Sequence, residues 1–168
     1  TFLVDPVFSN QASPMPFGIK GFKGTHIFDP EDFSDINYLV ITHDHWDHLD
    51  FNTVIKMRTK IKNIICPLGV GAHFERWGFE KHRIFQLDWN EQFSPEEGFT
   101  FHSVPARHFS GRSFTRNRSL WSSFVLQTPK RKIFIGGDSG YDNHFAEIGQ
   151  KFGPFDLAIL EAGQYNHD

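Results

Sequence analysis

The sequence lacks the features that would place it in several common protein classes. Its 168 residues include one cysteine, Cys66, so an intrachain disulfide is excluded. No run of about 18 apolar residues is present that could cross a bilayer. Neither a G-x-S-x-G sequence nor a Ser-His-Asp pattern occurs, which argues against a serine nucleophile. The formal net charge of −3 also falls short of the positive charge that a broad nucleic-acid surface needs.

Short apolar runs bounded by turn residues are what the chain has in quantity, together with 20 phenylalanines. Their length and their content of β-branched and aromatic residues favour strands over helices. The predicted strands lie at residues 1–5, 37–42, 62–67, 83–87, 99–105, 121–128, 132–137 and 156–162. Cys66 ends one of these runs, and we expect it to be a buried, inert thiol.

Helical patterns fall between some of the runs. Asp50 is a plausible N-cap for a helix over residues 51–61, and weaker patterns end near Gly78 and Gly153. Crossings of the βαβ type over residues 38–66 and hairpin-like neighbours over 99–136 predict sheets with helices packed outside them. We interpret residues 1–168 as a single domain that is cut at both ends, with its C-terminal part missing.

One long stretch, residues 6–35, has no periodicity but many prolines and glycines. A structureless loop of that length in a small domain is usually functional or disordered. Its phenylalanines at 8, 17, 22, 28 and 33 favour a packed segment, which we interpret as an apolar lip over a site.

Metal-ligating residue types are concentrated directly behind the run "YLVIT". His43, His45, Asp47 and His48 form an H-x-H-x-D-H pattern there. Imidazole nitrogens and carboxylate oxygens are ligands for divalent ions such as zinc. Because alternate side chains of extended backbone share a face, His43 and His45 can converge on one ion, and the turn that follows can direct the other two to a second ion. Asp44 and Trp46 lie between the ligands and are expected to point away as spacers.

Two later segments could complete such a site. "SVPARHFSGR" presents His108 after a predicted strand, and "KIFIGGDSGY" presents Asp138 after another. Glycines precede Asp138 and allow a close approach of the backbone. A carboxylate has two oxygens, so Asp138 could bridge two ions.

The motifs "THDHWDHLD", "PARHFSGR", "LWSSFVL", "GGDSGY" and "FGPFDLAIL" occur in this order. With them the chain resembles the metallo-β-lactamase-fold hydrolases, in the branch of the N-acyl-phosphatidylethanolamine-hydrolysing phospholipase D and its bacterial relatives. The resemblance implies an α+β fold, an αββα sandwich that is incomplete here at both ends.

The resemblance also implies a ligand set for two zinc ions, with iron or manganese as alternatives. One ion would be held by His43, His45 and His108, the other by Asp47 and His48, and Asp138 would bridge them. The family uses one further histidine, from a later strand that this chain does not reach. His167 follows Gln164 and Tyr165 too closely to be that residue. Asp5 matches a family aspartate that usually orients the ligating imidazoles. Tyr165 is a candidate substrate contact.

The expected activity is hydrolysis by a hydroxide formed at the metal ions, with Asp47 or Asp138 accepting the proton. Arg112, in the arginine-rich segment behind His108, is the best candidate to bind an anionic phosphodiester, such as that of an N-acylated phospholipid. A lactone, a thioester or a nucleic-acid phosphodiester is an alternative substrate, and a non-catalytic metal-binding module is an alternative of another class. The lack of disulfides favours the cytoplasm but leaves the periplasm, peripheral membrane contact and the oligomeric state open.

Overall fold

The computed structural model describes residues 1–9, 13, 21, 24, 27–112 and 115–162. Within this part, a first sheet consists of four parallel strands in the order β1-β2-β3-β4. They are β1 (Phe2–Val4), β2 (Ile36–Val40), β3 (Ile61–Pro67) and β4 (Ile84–Leu87).

A second sheet follows in chain order, with five strands arranged β5-β6-β7-β8-β9. They are β5 (Gln92–Glu96), β6 (Phe99–Val104), β7 (Ser123–Gln127), β8 (Lys132–Ile135) and β9 (Leu157–Ile159). Neighbouring strands are antiparallel except β8 and β9, which are parallel.

Helices connect the parallel strands, as the topology requires. Helix α1 (Phe51–Lys56) joins β2 to β3, α2 (Gly71–Arg76) joins β3 to β4, and α3 (His144–Phe152) joins β8 to β9. Single 3-10 turns lie at Pro30–Asp32 and Lys81–Arg83. Asp50 caps α1 as predicted, because its side chain accepts a hydrogen bond from the Asn52 N–H. The helix is shorter than the predicted 51–61.

The alternation of side chains along the strands builds three apolar clusters. Leu39 of β2 and Ile41, which directly follows β2, pack with Val54 of α1 and Phe74 of α2. The alternate residues of β2, such as Val40, face the second sheet and pack against its inner side chains. The third cluster lies between the outer face of the second sheet and α3. The layers are therefore helix, sheet, sheet and helix, which confirms the predicted αββα arrangement.

All eight predicted strands are present, but the prediction omitted β5. Its sequence, "QFSPE", is mostly polar and contains Pro95, which cannot donate a hydrogen bond. Such a sequence is tolerated because β5 forms one edge of its sheet and its alternate residues are exposed. Edge position, which a single sequence does not reveal, explains the omission.

The described residues of the segment 6–35 contribute partly to the core. Phe8 and Phe33 stack with their ring centroids 5.0 Å apart and pack against the cluster beneath α1. Phe28 is exposed, while positions 17 and 22 lie outside the described residues, as does most of the predicted lip. None of the described helices is long and apolar enough to cross a membrane. Cys66 is buried as predicted, and burial raises the pKa of its thiol.

Candidate metal centre

The site lies where four strands end at the same edge of the sandwich. Strands β1 and β2 are parallel, so Asp5 and the residues after Val40 leave the first sheet together. In the second sheet, β6 and β8 are both antiparallel to β7 and hence run in the same direction. The segments that carry His108 and Asp138 therefore leave the second sheet at one end. This topology brings residues that are far apart in sequence into one place.

Four of the six predicted metal ligands converge there. One ligand atom from each of His43, His45, His108 and Asp138 lies within 4.8 Å of all the others. His45 Nδ1 is 2.9 Å from His43 Nε2 and 3.1 Å from His108 Nε2. His108 Nε2 is 3.9 Å from Asp138 Oδ2. Three imidazole nitrogens and a carboxylate oxygen thus face one small volume.

His48 stands beside this group and contacts the same carboxylate from the other side. Its Nε2 is 3.1 Å from Asp138 Oδ1, whereas the opposite oxygen faces His108. Its Nδ1 is 2.9 Å from Asp5 Oδ2. The two oxygens of Asp138 are therefore directed at different histidines, which is the arrangement that a bridging carboxylate requires. Asp5 contacts the second nitrogen of His48, which is the kind of contact that the family resemblance implies for it.

The charges of these groups follow from their contacts. Burial and the neighbouring imidazoles lower the pKa of His43 to about 2, so that its ring is neutral. Burial also lowers the pKa of His45 and of His108. For His48 burial acts in the same direction, but the hydrogen bonds to Asp138 and Asp5 outweigh it and raise the pKa to about 10. The contact with His48 is the main reason why the pKa of Asp138 is lowered to about 2.

The donor set fits a divalent metal ion. Neutral imidazoles offer lone pairs, and His43 and His45 are held 2.9 Å apart although at most one of the two facing nitrogens can carry a proton. Mixed nitrogen and oxygen ligands suit zinc, iron or manganese. The remaining nitrogen of His43 contacts Thr42 Oγ1 at 3.0 Å, an outer contact that orients the ring.

The other predicted site residues lie elsewhere. Asp47 is exposed on the turn and is not one of the four converging residues. Arg112 does not contact the four either; its Nη1 donates to the carbonyl oxygens of Asp44 and Leu49, and its guanidinium stacks 3.9 Å above the Trp46 ring. Its role in phosphate binding stays a prediction. Tyr165 and His167 lie outside the described residues.

Gly137 lets the two sheets approach each other at the site. Its φ is +58°, and a Cβ at this position would lie 2.8 Å from Thr42 Cβ. A larger residue would be strained by its backbone conformation and would also displace Thr42. The glycine next to Asp138 is thus explained by contact with the β2 exit.

Asp44 is a buried residue of the site that sequence reasoning treated only as a spacer. One of its oxygens accepts the Gly111 N–H and the other accepts the Ser119 hydroxyl, both at 2.9 Å. His73 Nε2 lies 3.8 Å away, too far for a hydrogen bond but close enough to interact electrostatically. Burial raises the pKa of Asp44, but these partners together outweigh it and lower the pKa to about 2. The carboxylate ties the turn that carries His45 to the segment that follows His108.

Comparison with known sequences assigns the chain to a family. The profile of the "Beta-lactamase superfamily domain" matches residues 1–168, the whole chain. The uncharacterised Mycobacterium tuberculosis protein Rv0906 is 42% identical over 168 residues, which cover 98% of this chain and 44% of that protein. The N-acyl-phosphatidylethanolamine-hydrolysing phospholipase D 1 of Caenorhabditis elegans is 31% identical, over 98% of this chain and 49% of that enzyme. The chain thus spans about half the length of these relatives.

Solved structures share the fold at low sequence identity. Igni18, a metallo hydrolase from Ignicoccus hospitalis, superposes with a TM-score of 0.69 and 18% identity, covering 99% of this chain and 65% of that protein. CmlA, a diiron β-hydroxylase from Streptomyces venezuelae, gives a TM-score of 0.70 and 23% identity over 94% of this chain and 30% of its own. The fold therefore occurs in proteins of different chemistry.

Proposed function

Because this chain belongs to the beta-lactamase superfamily, we propose that it forms the metal-binding part of a metal-dependent hydrolase that acts on a phosphodiester. The observation that carries the proposal is the convergence of His43, His45, His108 and Asp138 within 4.8 Å. An ion would bind such a cluster well, because burial favours neutral imidazoles, whose nitrogens can offer lone pairs to a metal. The phosphodiester, for instance that of an N-acylated phospholipid, is supported by the name of the Caenorhabditis elegans relative.

Two ions would have separate partners in this arrangement. The first would be held by His43, His45 and His108, and the second by His48 with Asp47, while Asp138 would be shared by both. When bound, the ions supply activation of water and polarisation of the substrate oxygen. Zinc is the proposed metal; since CmlA shares the fold and is a diiron protein, the fold alone does not select it.

The residues of the chain have distinct parts in this proposal. Asp5 orients His48, since its carboxylate contacts the nitrogen that faces away from Asp138. Asp138 stays ionised because the pKa of its carboxyl is held low, and it can therefore act as a ligand at neutral pH. Asp47 is exposed on the same turn and so is placed to exchange a proton with solvent. Tyr165 remains the proposed substrate contact.

Arg112 remains the proposed phosphate contact. It would use guanidinium N–H groups other than those that donate to backbone carbonyls. Among the described residues, Nη1 donates to two carbonyl groups of the turn, and the guanidinium lies over the Trp46 ring. Because this is the side of the turn away from the four ligands, the side chain would have to turn toward the metal centre to bind a phosphate there. Arg112→Ala should weaken phosphodiester turnover and leave turnover of a neutral ester unchanged if the arginine binds phosphate. An equal loss on both substrates would show that Arg112 only supports the turn.

The experiment uses protein expressed from its complete reading frame and loaded with zinc. Turnover of bis(p-nitrophenyl) phosphate is compared with that of lactone and thioester panels, and metal content is measured by mass spectrometry. The His45→Ala and Asp138→Ala variants should lose both metal and turnover. His82→Ala, which changes an exposed histidine 3.6 Å from Glu80, is the matched control. Unchanged metal content in His45→Ala would refute the ligand assignment, and metal binding without turnover of any substrate would favour a binding module.

A further inference from the structure

A cavity of about 630 Å³ lies behind the turn that carries the metal ligands. Residues 43 and 45 face the candidate metal centre, whereas Asp44 and Trp46 alternate with them and line this cavity. Helix α2 and the start of α1 form other parts of the wall, together with residues of the 112–119 segment. The cavity is thus separated from the metal centre by the backbone of the turn. Its volume is in the range of sites that hold small molecules.

The wall carries an excess of positive charge. Among the described residues of the wall are three guanidinium groups, those of Arg76, Arg112 and Arg118, against one carboxylate, that of Asp44. Both oxygens of Asp44 already accept hydrogen bonds from the protein. Arg76 and Arg118 are exposed, and within the described ranges neither forms an ion pair with a carboxylate. Their donors are therefore available to an anion.

Flat aromatic rings lie directly beside these charges. Trp46, Trp77 and Phe51 line the same cavity, and the Phe51 and Trp77 rings meet edge to face at 5.1 Å. The Arg112 guanidinium is 3.9 Å from the Trp46 centroid and 5.3 Å from that of Trp77. Indole and phenyl faces bind apolar or planar groups, and they do so here within reach of cationic donors.

From this combination we infer a second binding site, for an anion that carries a planar apolar group. The anionic end would be held by Arg76 and Arg118, and the planar part would pack against Trp46 and Trp77. This site is independent of hydrolysis at the metal centre, because none of the four converging ligands lines it. Occupancy would nevertheless touch Trp46 and Arg112, which support the metal-binding turn.

Isothermal titration with naphthalene-2-sulfonate tests the inference, since this probe joins a sulfonate to a flat apolar ring and cannot be hydrolysed as an ester. We expect saturable binding that is about tenfold or more weaker in the Arg76→Ala/Arg118→Ala double variant, because two charge-assisted contacts are lost. Lys81→Ala/Lys130→Ala removes two exposed positive charges outside the cavity and should leave the affinity unchanged. Naphthalene-2-sulfonamide and sulfate should each bind more weakly than the probe.

The His45→Ala variant separates this site from the metal centre. Binding of the probe should persist in it although metal and turnover are lost. Loss of binding in His45→Ala would place the probe at the metal centre and overturn the inference. The same conclusion would follow from no saturation in the unaltered protein, from equal affinity in the Arg76→Ala/Arg118→Ala variant, or from equal binding of the neutral sulfonamide.

Discussion

Replacing Asp44 tests whether a residue that binds no metal determines the geometry of the metal centre. The side chain is 4% exposed, and its two oxygens accept the Gly111 N–H and the Ser119 hydroxyl. Asp44→Ala removes both acceptors and leaves the two donors without a partner. Gly111 is three residues after His108, so a shift of this segment moves a predicted ligand away from His45.

The size of the effect follows from the two lost hydrogen bonds. A buried donor without a partner costs about 1–3 kcal/mol, and bonds to a charged acceptor lie at the upper end of their range. The Gly111 N–H has no freedom to turn, whereas the half-buried Ser119 hydroxyl can turn toward water. We therefore expect the free energy of unfolding to fall by about 2–4 kcal/mol. Asp44→Asn keeps one acceptor oxygen and should lose about half of this.

The assay combines urea unfolding of the metal-free protein with a competition measurement of zinc affinity. Affinity should fall by about tenfold or more, as for other residues that position ligands. Asp35→Ala is the control, because Asp35 is an exposed carboxylate whose contact to Lys62 at 3.2 Å should contribute about 0–1 kcal/mol. The reasoning fails if the free energy of unfolding of Asp44→Ala lies within about 0.5 kcal/mol of that of the unaltered protein and the variant binds zinc equally well.

Three further predictions concern the surroundings of the ligands. Asp5→Ala should weaken binding of the ion proposed next to His48 by about 10–100-fold, and more than binding of the ion proposed next to His43, which Asp5 affects through Thr42; equal weakening of both in competitive chelation would contradict it. Gly137→Ala should destabilise the fold by about 1–3 kcal/mol in urea unfolding, because of its positive φ and the contact that a Cβ would make, whereas Gly149→Ala, in open space on α3, should be neutral or stabilising. Between the ordinary histidine pKa of 6.5 and the folded-state pKa of His43 of about 2, His43 is protonated in the unfolded metal-free chain but not in the folded one. His43 should therefore contribute a fall in the free energy of unfolding of up to about 1.4 kcal/mol per pH unit on acidification, and a slope unchanged in the His43→Gln variant would refute this.

The fold was largely predictable because its strands are short apolar runs with clear boundaries. The runs around Leu39, Ile64 and Phe124 are buried on both faces in the finished sandwich, so their apolar character is continuous. By contrast, β5 was missed because its residues alternate between partial and full exposure and include Pro95. Local sequence predicts a strand from what it buries, and an edge strand buries little.

The candidate site was predictable where the types of residue present indicate its chemistry. Histidines and carboxylates at the ends of apolar runs indicated His43, His45, His108 and Asp138, because strand ends of one sandwich meet. The partners of Asp44 could not be inferred in this way. One of them is a backbone N–H. Every residue except proline has this group, so the sequence does not indicate which one contacts Asp44.

The alternation within the turn explains why both kinds of residue are needed there. His43 and His45 direct ring nitrogens to one side, where the two atoms lie 2.9 Å apart and can share either a proton or an ion. A polar turn held only by these side chains would open when the ion leaves. Asp44 and Arg112 bind the opposite side of the same turn, through the Gly111 N–H and the carbonyl of Leu49. The spacing residues of an H-x-H-x-D-H pattern can therefore carry the anchoring contacts, and their substitution should loosen a metal centre that they never touch.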